Sequence, residues 1–359
     1  MKGLKIFGFV VGGIVVLCGL VLALALTSGV QTWAVRKAVA RQPGMTLEVA
    51  KVDAGFSAAE ITDLRLTKDG MVVTAKSITA KYSAWDYLTQ KRINADSVAV
   101  QDLLVDLRNA KPAAAAPGSP GAAPAAPGKA PPSATTASAP KSPAAQSAPF
   151  NGLLQEARLP FDLRVASLLA KGRALLSTTQ TATFELKGDN LQTGQRGKLE
   201  WTVDFADATP DAPIRALRTT GTAGVQLAND RRIDVVEIDA IAAAMGPKLP
   251  ADRIKLTAKA DQPTPGGNEG YTAQLGLMRG TTVEPLLKLN AQYITAAREI
   301  TGAWEIAVRS EQLAALLAGL GLPEVAANGA GRFALKPDTK SVSASGDLQA
   351  QVSQLQKLS

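Results

Sequence analysis

The chain of 359 residues carries 39 basic and 31 acidic side chains, one cysteine and no histidine, with 46% hydrophobic and 4% aromatic residues. Without histidine there is no imidazole base, no histidine-containing triad and no histidine zinc ligand, and with Cys18 alone there is no internal disulfide. The formal charge of +8 sits in two acid-free stretches, five cations in 1–41 and three in 110–150; the rest balances at 31 against 31, which leaves no basic footprint for nucleic acid.

In chain order, the first element is an uncharged run of 21 residues from Ile6 to Leu26, rich in Leu, Val, Ile and Gly. As a helix it spans about 31 Å, close to the hydrocarbon thickness of a bilayer. Leu17 and Cys18 fall inside it, Trp33 follows at the interface, and Arg36-Lys37 comes next. Ala23-Leu24-Ala25 has the small-x-small form of a cleavage site, so a cleaved signal peptide is the competing reading. The run exceeds a usual signal core and no polar segment precedes that site, which favours an anchor. Flanking charges do not decide its orientation.

Gln31–Arg41 continues as helix to the stop at Gln42-Pro43-Gly44. Alternating strands are then expected over 46–52, 61–66, 71–82, 93–100 and 103–108, with a turn at Lys68-Asp69-Gly70. A short helix over Ala84–Gln90 is capped by Ser83. From Lys111 to Pro149 the composition changes: these 39 positions hold 15 Ala and 10 Pro. Such a segment buries too little apolar surface to offset its ordering entropy and reads as a disordered linker.

From Phe161 the alternation resumes, as in Gly197–Phe205, GKLEWTVDF, where Leu199, Trp201, Val203 and Phe205 share one face. Tyr271–Met278, Leu286–Ile294 and Ala303–Ser310 are written the same way. One helix interrupts the series at Glu311–Leu320, with Leu313, Leu316, Leu317 and Leu320 on one stripe and Ser310 as N-cap. Strands restart at Gly331–Pro337 and Val342–Val352. Four parts are expected: an anchor and juxtamembrane helix (1–41), a first β module (42–110), the linker (111–149) and a longer β region (150–359) that continues beyond the given sequence. About sixteen strands are expected.

Weak chemical signals are explained blandly. Gly319-Leu320-Gly321 and Gly329-Ala330-Gly331 do not complete a phosphate loop. The acids Asp204, Asp207, Glu237 and Asp239 read as solvated strand positions, and Asn229-Asp230-Arg231-Arg232 as a hairpin tip, with an anionic headgroup site as the sharper reading. The chain is read as a non-enzyme that needs no cofactor and no metal. What covers so many apolar faces is left open by composition: a β-sandwich whose faces meet, or a long curved antiparallel sheet whose apolar face lines a trough.

The order anchor, basic helix, Thr46–Gly70 and Met71–Leu107 resembles the opening module of AsmA-like proteins, the family that includes TamB-type envelope proteins. The resemblance rests on Ile61–Leu66 ("xxLxLxxG"), Lys76–Leu88 (a strand ending in an aromatic turn) and Ile93–Leu107 ("IxxxxVxxxxVxL"). It extends to Leu159–Leu176 after the insertion and to Trp304–Leu335, which is similar to an internal repeat of that family. It implies a single-pass protein of the inner membrane of a diderm bacterium, held by Ile6, Leu17, Leu26 and Trp33, with its body in the periplasm. It further implies a mainly β, taco-like groove for phospholipid, lined by Leu199, Trp201, Val203, Phe205, Leu275, Leu277, Leu289, Trp304, Ile306 and Val308, and a role in lipid transport toward the outer membrane or in its biogenesis with envelope partners. The alternative is a membrane-anchored β-scaffold of a secretion or envelope-assembly system; a carboxylate-based periplasmic hydrolase is a third.

Overall fold

The computed structural model describes residues 45–353 apart from 91, 111–151, 157–158, 160–161, 251–252, 265, 320–322 and 340. The expected anchor, including Ile6, Leu17, Leu26 and Trp33, and the expected linker lie outside the described residues. Among those described, no helix is long and apolar enough to cross a membrane.

Period-2 alternation makes nearly every element a strand. Four strands precede the linker: β1 (Met45–Ala54), β2 (Ala58–Lys68), β3 (Met71–Tyr82) and β4 (Arg92–Asp106). Eleven follow: β5 (Asp162–Leu175), β6 (Gln180–Gln192), β7 (Arg196–Asp207), β8 (Ala216–Leu227), β9 (Ile233–Met245), β10 (Arg253–Asp261), β11 (Glu269–Arg279), β12 (Thr282–Ile294), β13 (Glu299–Val308), β14 (Glu324–Lys336) and β15 (Ser341–Ser353). All fifteen form one open sheet in sequence order, so each strand bonds only its neighbours in the chain. The helices are α1 (Ala84–Gln90), α2 (Leu153–Glu156) and α3 (Ser310–Gly319).

The expected runs 46–52, 61–66 and 71–82 fall inside β1, β2 and β3, and α1 has the expected bounds. Ser83 caps it: the Asp86 N–H donates to Ser83 Oγ at 3.3 Å.

Three expectations need correction. The run 93–100 and the run 103–108 up to Asp106 belong to one strand, β4, whose pairing with its neighbours is interrupted around Asp102, which has φ 51°. β4 carries one residue more than β5 between Val100 and Leu103, and a left-handed residue lets the strand absorb it without ending. The antiparallel series also has one exception, because β4 and β5 pair in parallel, Val100 opposite Ala170. The chain between them must therefore travel back along a strand's length before β5 begins. Finally, Ser310 is the first helical residue of α3, and the capping bonds centre on its predecessor: the Gln312 N–H donates to Arg309 O at 3.0 Å, while the Arg309 N–H donates to Gln312 Oε1 at 2.8 Å.

Because β4 bonds β5, the segments before and after the linker are parts of one sheet. The most deeply buried side chains belong to β2–β6. Leu64 and Ile78 are 1% exposed and Val100 is fully buried, in a cluster against which Leu47 and Val49 of β1 and Val203 of β7 also pack.

Candidate functional site: one apolar face along the sheet

Cross-strand partners in a ladder point to the same face, so the register fixes the composition of each face. Starting at Trp201 and moving toward β1, the partners are Leu186, Ala170, Val100, Ile78, Ile61 and Val52. Moving toward β15, they are Gly221, Ala240, Leu256, Leu275, Leu287, Ile306, Gly329 and Leu348. This row crosses all fifteen strands without one polar side chain. At about 4.8 Å between strands it is roughly 67 Å long.

A second row runs beside it through Leu199. It passes through Gly188, Leu168, Val98, Ala80 and Ala59 on one side. On the other it passes through Ala223, Ile238, Ala258, Ala273, Leu289, Trp304, Gly331 and Gly346. The register thus brings together every residue expected to line a groove. Trp201, Leu275 and Ile306 stand in the first row and Leu199, Leu289 and Trp304 in the second. Val203 and Leu277 share a third through Thr219, Ala242 and Ile254. Phe205 pairs with Leu217, and Val308 with Ala327.

Burial along this face is uneven. Side chains in β2–β6 are largely buried, those of β7–β13 are mostly half-buried, and β15 is exposed throughout. Of the ten expected lining residues only Leu277 is fully buried.

Four aromatic residues on this face are set against glycine. Trp201 is opposite Gly221, Phe184 opposite Gly172, Trp304 opposite Gly331 and Phe333 opposite Gly302. A β-carbon on Gly302 would lie 2.7 Å from the Phe333 ring, and one on Gly331 2.8 Å from Trp304. The glycines let large rings lie down on the sheet rather than stand out from it.

The opposite face is charged and electrically balanced. Lys171 meets its partner Glu185 at 3.2 Å, Lys288 meets Glu305 at 3.3 Å and Arg218 meets Asp204 at 3.6 Å. Arg196 reaches across Gly224 of β8 to Glu237 of β9. Hydrogen bonds from Lys187 and Lys171 hold the Glu185 carboxyl below its ordinary range, and bonds from Thr209 and Gln180 do the same for Asp207. The acids singled out from the sequence are therefore partnered surface groups: Asp239 takes Lys255 at 2.9 Å. A shallow depression of about 430 Å³ on this face includes Glu185, Lys187, Thr202, Thr220 and Asp239 in its lining. Among the described residues no three carboxylate or thiol ligands gather to hold a metal ion.

Polar groups cluster at the ends of the strands, and the bonds of Glu269 and of Glu284 were not read from the sequence. At the charged hairpin tip Arg232 does not face solvent: it is buried and bonded to Asp230 at 2.7 Å, to Asp234 at 3.5 Å and to Gln262. Beside it Glu269, fully buried, pairs with Tyr293 and so stands on the apolar face. Its carboxylate accepts from Tyr271 Oη and from the Leu154 N–H at 3.1 Å, which ties α2 to the end of β11. Burial and the bond to Glu269 push the Tyr271 hydroxyl well above its usual range. The Leu159 N–H then donates to Arg231 O at 2.9 Å, so the chain returning to β5 runs as a strap along this rim. At the far rim, where β12 begins, Gln312 Nε2 of α3 donates to Glu284 at 3.0 Å and ends the third apolar row.

No protein-family model, no curated protein and no solved structure matches this chain.

Proposed function

We propose that the apolar face is a trough for lipid hydrocarbon and that the protein is a membrane-anchored, non-enzymatic carrier of phospholipid of the AsmA-like type. The observation that carries this reading is the unbroken apolar row from Val52 to Leu348. An open sheet normally presents one face to its core and one to water, and no second layer of described strands covers this one. A contiguous apolar surface of this length calls for a partner. Bending of the sheet toward this face would turn it into a taco-like groove, and the deep burial of Leu64, Ile78 and Val100 supports such a bend near β2–β6.

The mechanism is passive shelter. An acyl chain drawn into water loses about 0.8 kcal/mol per methylene. Rows of Leu, Ile, Val, Ala and flat-lying aromatics replace that water along the whole path, and headgroups remain in solvent. Since successive rows offer nearly the same surface, a tail can slide from strand to strand without a deep minimum. The Ile6–Leu26 run would hold the body beside the inner membrane, and transport would run toward the outer membrane.

The test is native mass spectrometry of detergent-free material. Co-purifying phospholipid is expected, and Trp201→Glu with Leu275→Glu should remove it while the circular dichroism of the sheet persists. Lipid recovery unchanged in that variant would overturn the lining. A folded wild-type protein that never carries lipid would leave the anchored scaffold as the better reading.

A further inference from the structure

Of the aromatic side chains among the described residues, only Phe56 and Trp85 are exposed, at 78% and 68%; the others are buried or half-buried. The two are neighbours. Phe56 lies in the turn from β1 to β2, and its carbonyl accepts from the N–H of Ala84, the residue before Trp85 in α1, at 2.9 Å. The turn is braced rather than loose. The Gly55 N–H donates to Ala58 O at 2.8 Å and the Tyr82 N–H to Ser57 O at 2.9 Å, while the Oη of buried Tyr82 donates to Gly55 O at 2.6 Å. α1 is fixed beside it by the Ser83 cap and by Asn94 Nδ2, which donates to Asp86 at 2.6 Å. A well-bonded tip therefore presents two large rings to its surroundings.

We propose that Phe56 and Trp85 form a bilayer contact, seated in the headgroup layer of the membrane that holds the chain. An indole joins an apolar body to one N–H donor, which suits that layer, and the wholly apolar Phe56 ring beside it reaches toward the acyl chains. The position of the tip selects this occupant. Eighteen residues, 27–44, separate Leu26, the end of the apolar run, from Met45 of β1. Their reach is at most about 65 Å extended and about 27 Å as helix. The tether thus ends on the strand that leads into the tip, whereas β15 lies roughly 67 Å farther across the sheet. The first apolar row begins at Val52, four residues before Phe56, so a seated tip brings the β1 end of the apolar face to the bilayer surface. The contact rests on the reading of Ile6–Leu26 as an anchor and is independent of whether the face carries lipid.

The full chain reconstituted into phosphatidylcholine–phosphatidylglycerol vesicles, with and without bromine on the acyl chains, tests the contact by fluorescence quenching. With Trp33, Trp201 and Trp304 changed to Phe, Trp85 alone should lose at least half of its emission in the brominated vesicles. Using Trp201→Glu and adding Leu275→Glu, the changes expected to empty the trough, should leave that quenching intact; its loss would assign it to carried lipid and overturn the contact. Trp33 as the sole tryptophan reports the anchor. Trp33 quenched and Trp85 not quenched overturns the contact alone, and neither quenched overturns both readings. Trp85 shielded from aqueous iodide yet unquenched by bromine would put protein over the tip and likewise overturn the contact. A second measurement leaves every tryptophan in place: with Cys18→Ser, a polarity-sensitive dye on Phe56→Cys should shift to the blue and be quenched at least twofold by the brominated lipid, and an unquenched dye overturns the proposal.

Discussion

Trp201 of β7 and Gly221 of β8 are direct register partners, and the indole lies over the glycine so closely that an added methyl group would fall well inside van der Waals contact with the ring. The same arrangement recurs reciprocally one hairpin from the end of the sheet, with Trp304 over Gly331 and Phe333 over Gly302. Gly221→Ala should therefore lift the Trp201 ring and destabilise the protein by about 1–3 kcal/mol, the usual range for overpacking. Denaturant unfolding measures this. An unchanged midpoint would mean that the ring is free to move aside.

Thr219 interrupts the third row between Val203 and Ala242, and its Oγ1 is buried without a hydrogen-bond partner. An unsatisfied buried hydroxyl carries a desolvation penalty, and valine has nearly the same shape. Thr219→Val should raise stability by about 1 kcal/mol, read as a shift of the denaturant midpoint at constant slope. A destabilised variant would show that the hydroxyl has a bridging partner.

Glu269 holds the rim strap through the Leu154 N–H. Glu269→Ala should leave that donor unpaired at a local penalty of about 1–3 kcal/mol, seen as faster amide exchange over 153–156 and quicker proteolysis beside it. Glu269→Gln keeps an acceptor and should protect the strap better than alanine does. If both variants exchange like the wild type, the strap is fastened elsewhere.

Asp106 accepts from Arg108 Nη2 at 2.6 Å, from Nε at 2.9 Å and from the Arg108 N–H at 3.1 Å, and these bonds lower its carboxyl to about 2. Because the folded value lies below the unfolded one, the pair's contribution is present above about pH 4 and is lost as pH falls toward 2. An NMR titration of the side-chain carboxyl should show the low midpoint in the wild type. Arg108→Gln removes the guanidinium but keeps the backbone donor, so it should raise the midpoint part of the way toward the ordinary aspartate range, and an unshifted midpoint in that variant would assign the effect to another neighbour.

The sequence was legible where structure is local. Alternation alone put Trp201, Leu275 and Trp304 on the correct parity, since a side chain's face depends only on its position in its own strand. The helix at Ala84–Gln90 carried its cap in the adjacent residue. What could not be read depends on distant partners. Nothing near Gly221 or Gly331 says that an aromatic ring will lie on it. Glu269 looks like an ordinary strand acid until the chain returning from the linker brings Leu154 to it. Gln101-Asp102 resembled a gap between strands because a left-handed residue inside a strand has the same local signature as a turn. The parallel pairing of β4 and β5 was hidden for a similar reason, since a linker's composition carries no record of where its ends must meet.

That pairing sets a lower bound on the segment that separates the two halves. β4 is 15 residues long, so the chain must cover about 50 Å from Asp106 before Asp162 can lie beside Arg92. Fewer than about fifteen connecting residues could not reach, and β5 could then add only in the reverse direction. The connection 107–161 is in this sense constrained in reach: cut below that bound, it should disconnect one half of the sheet from the other.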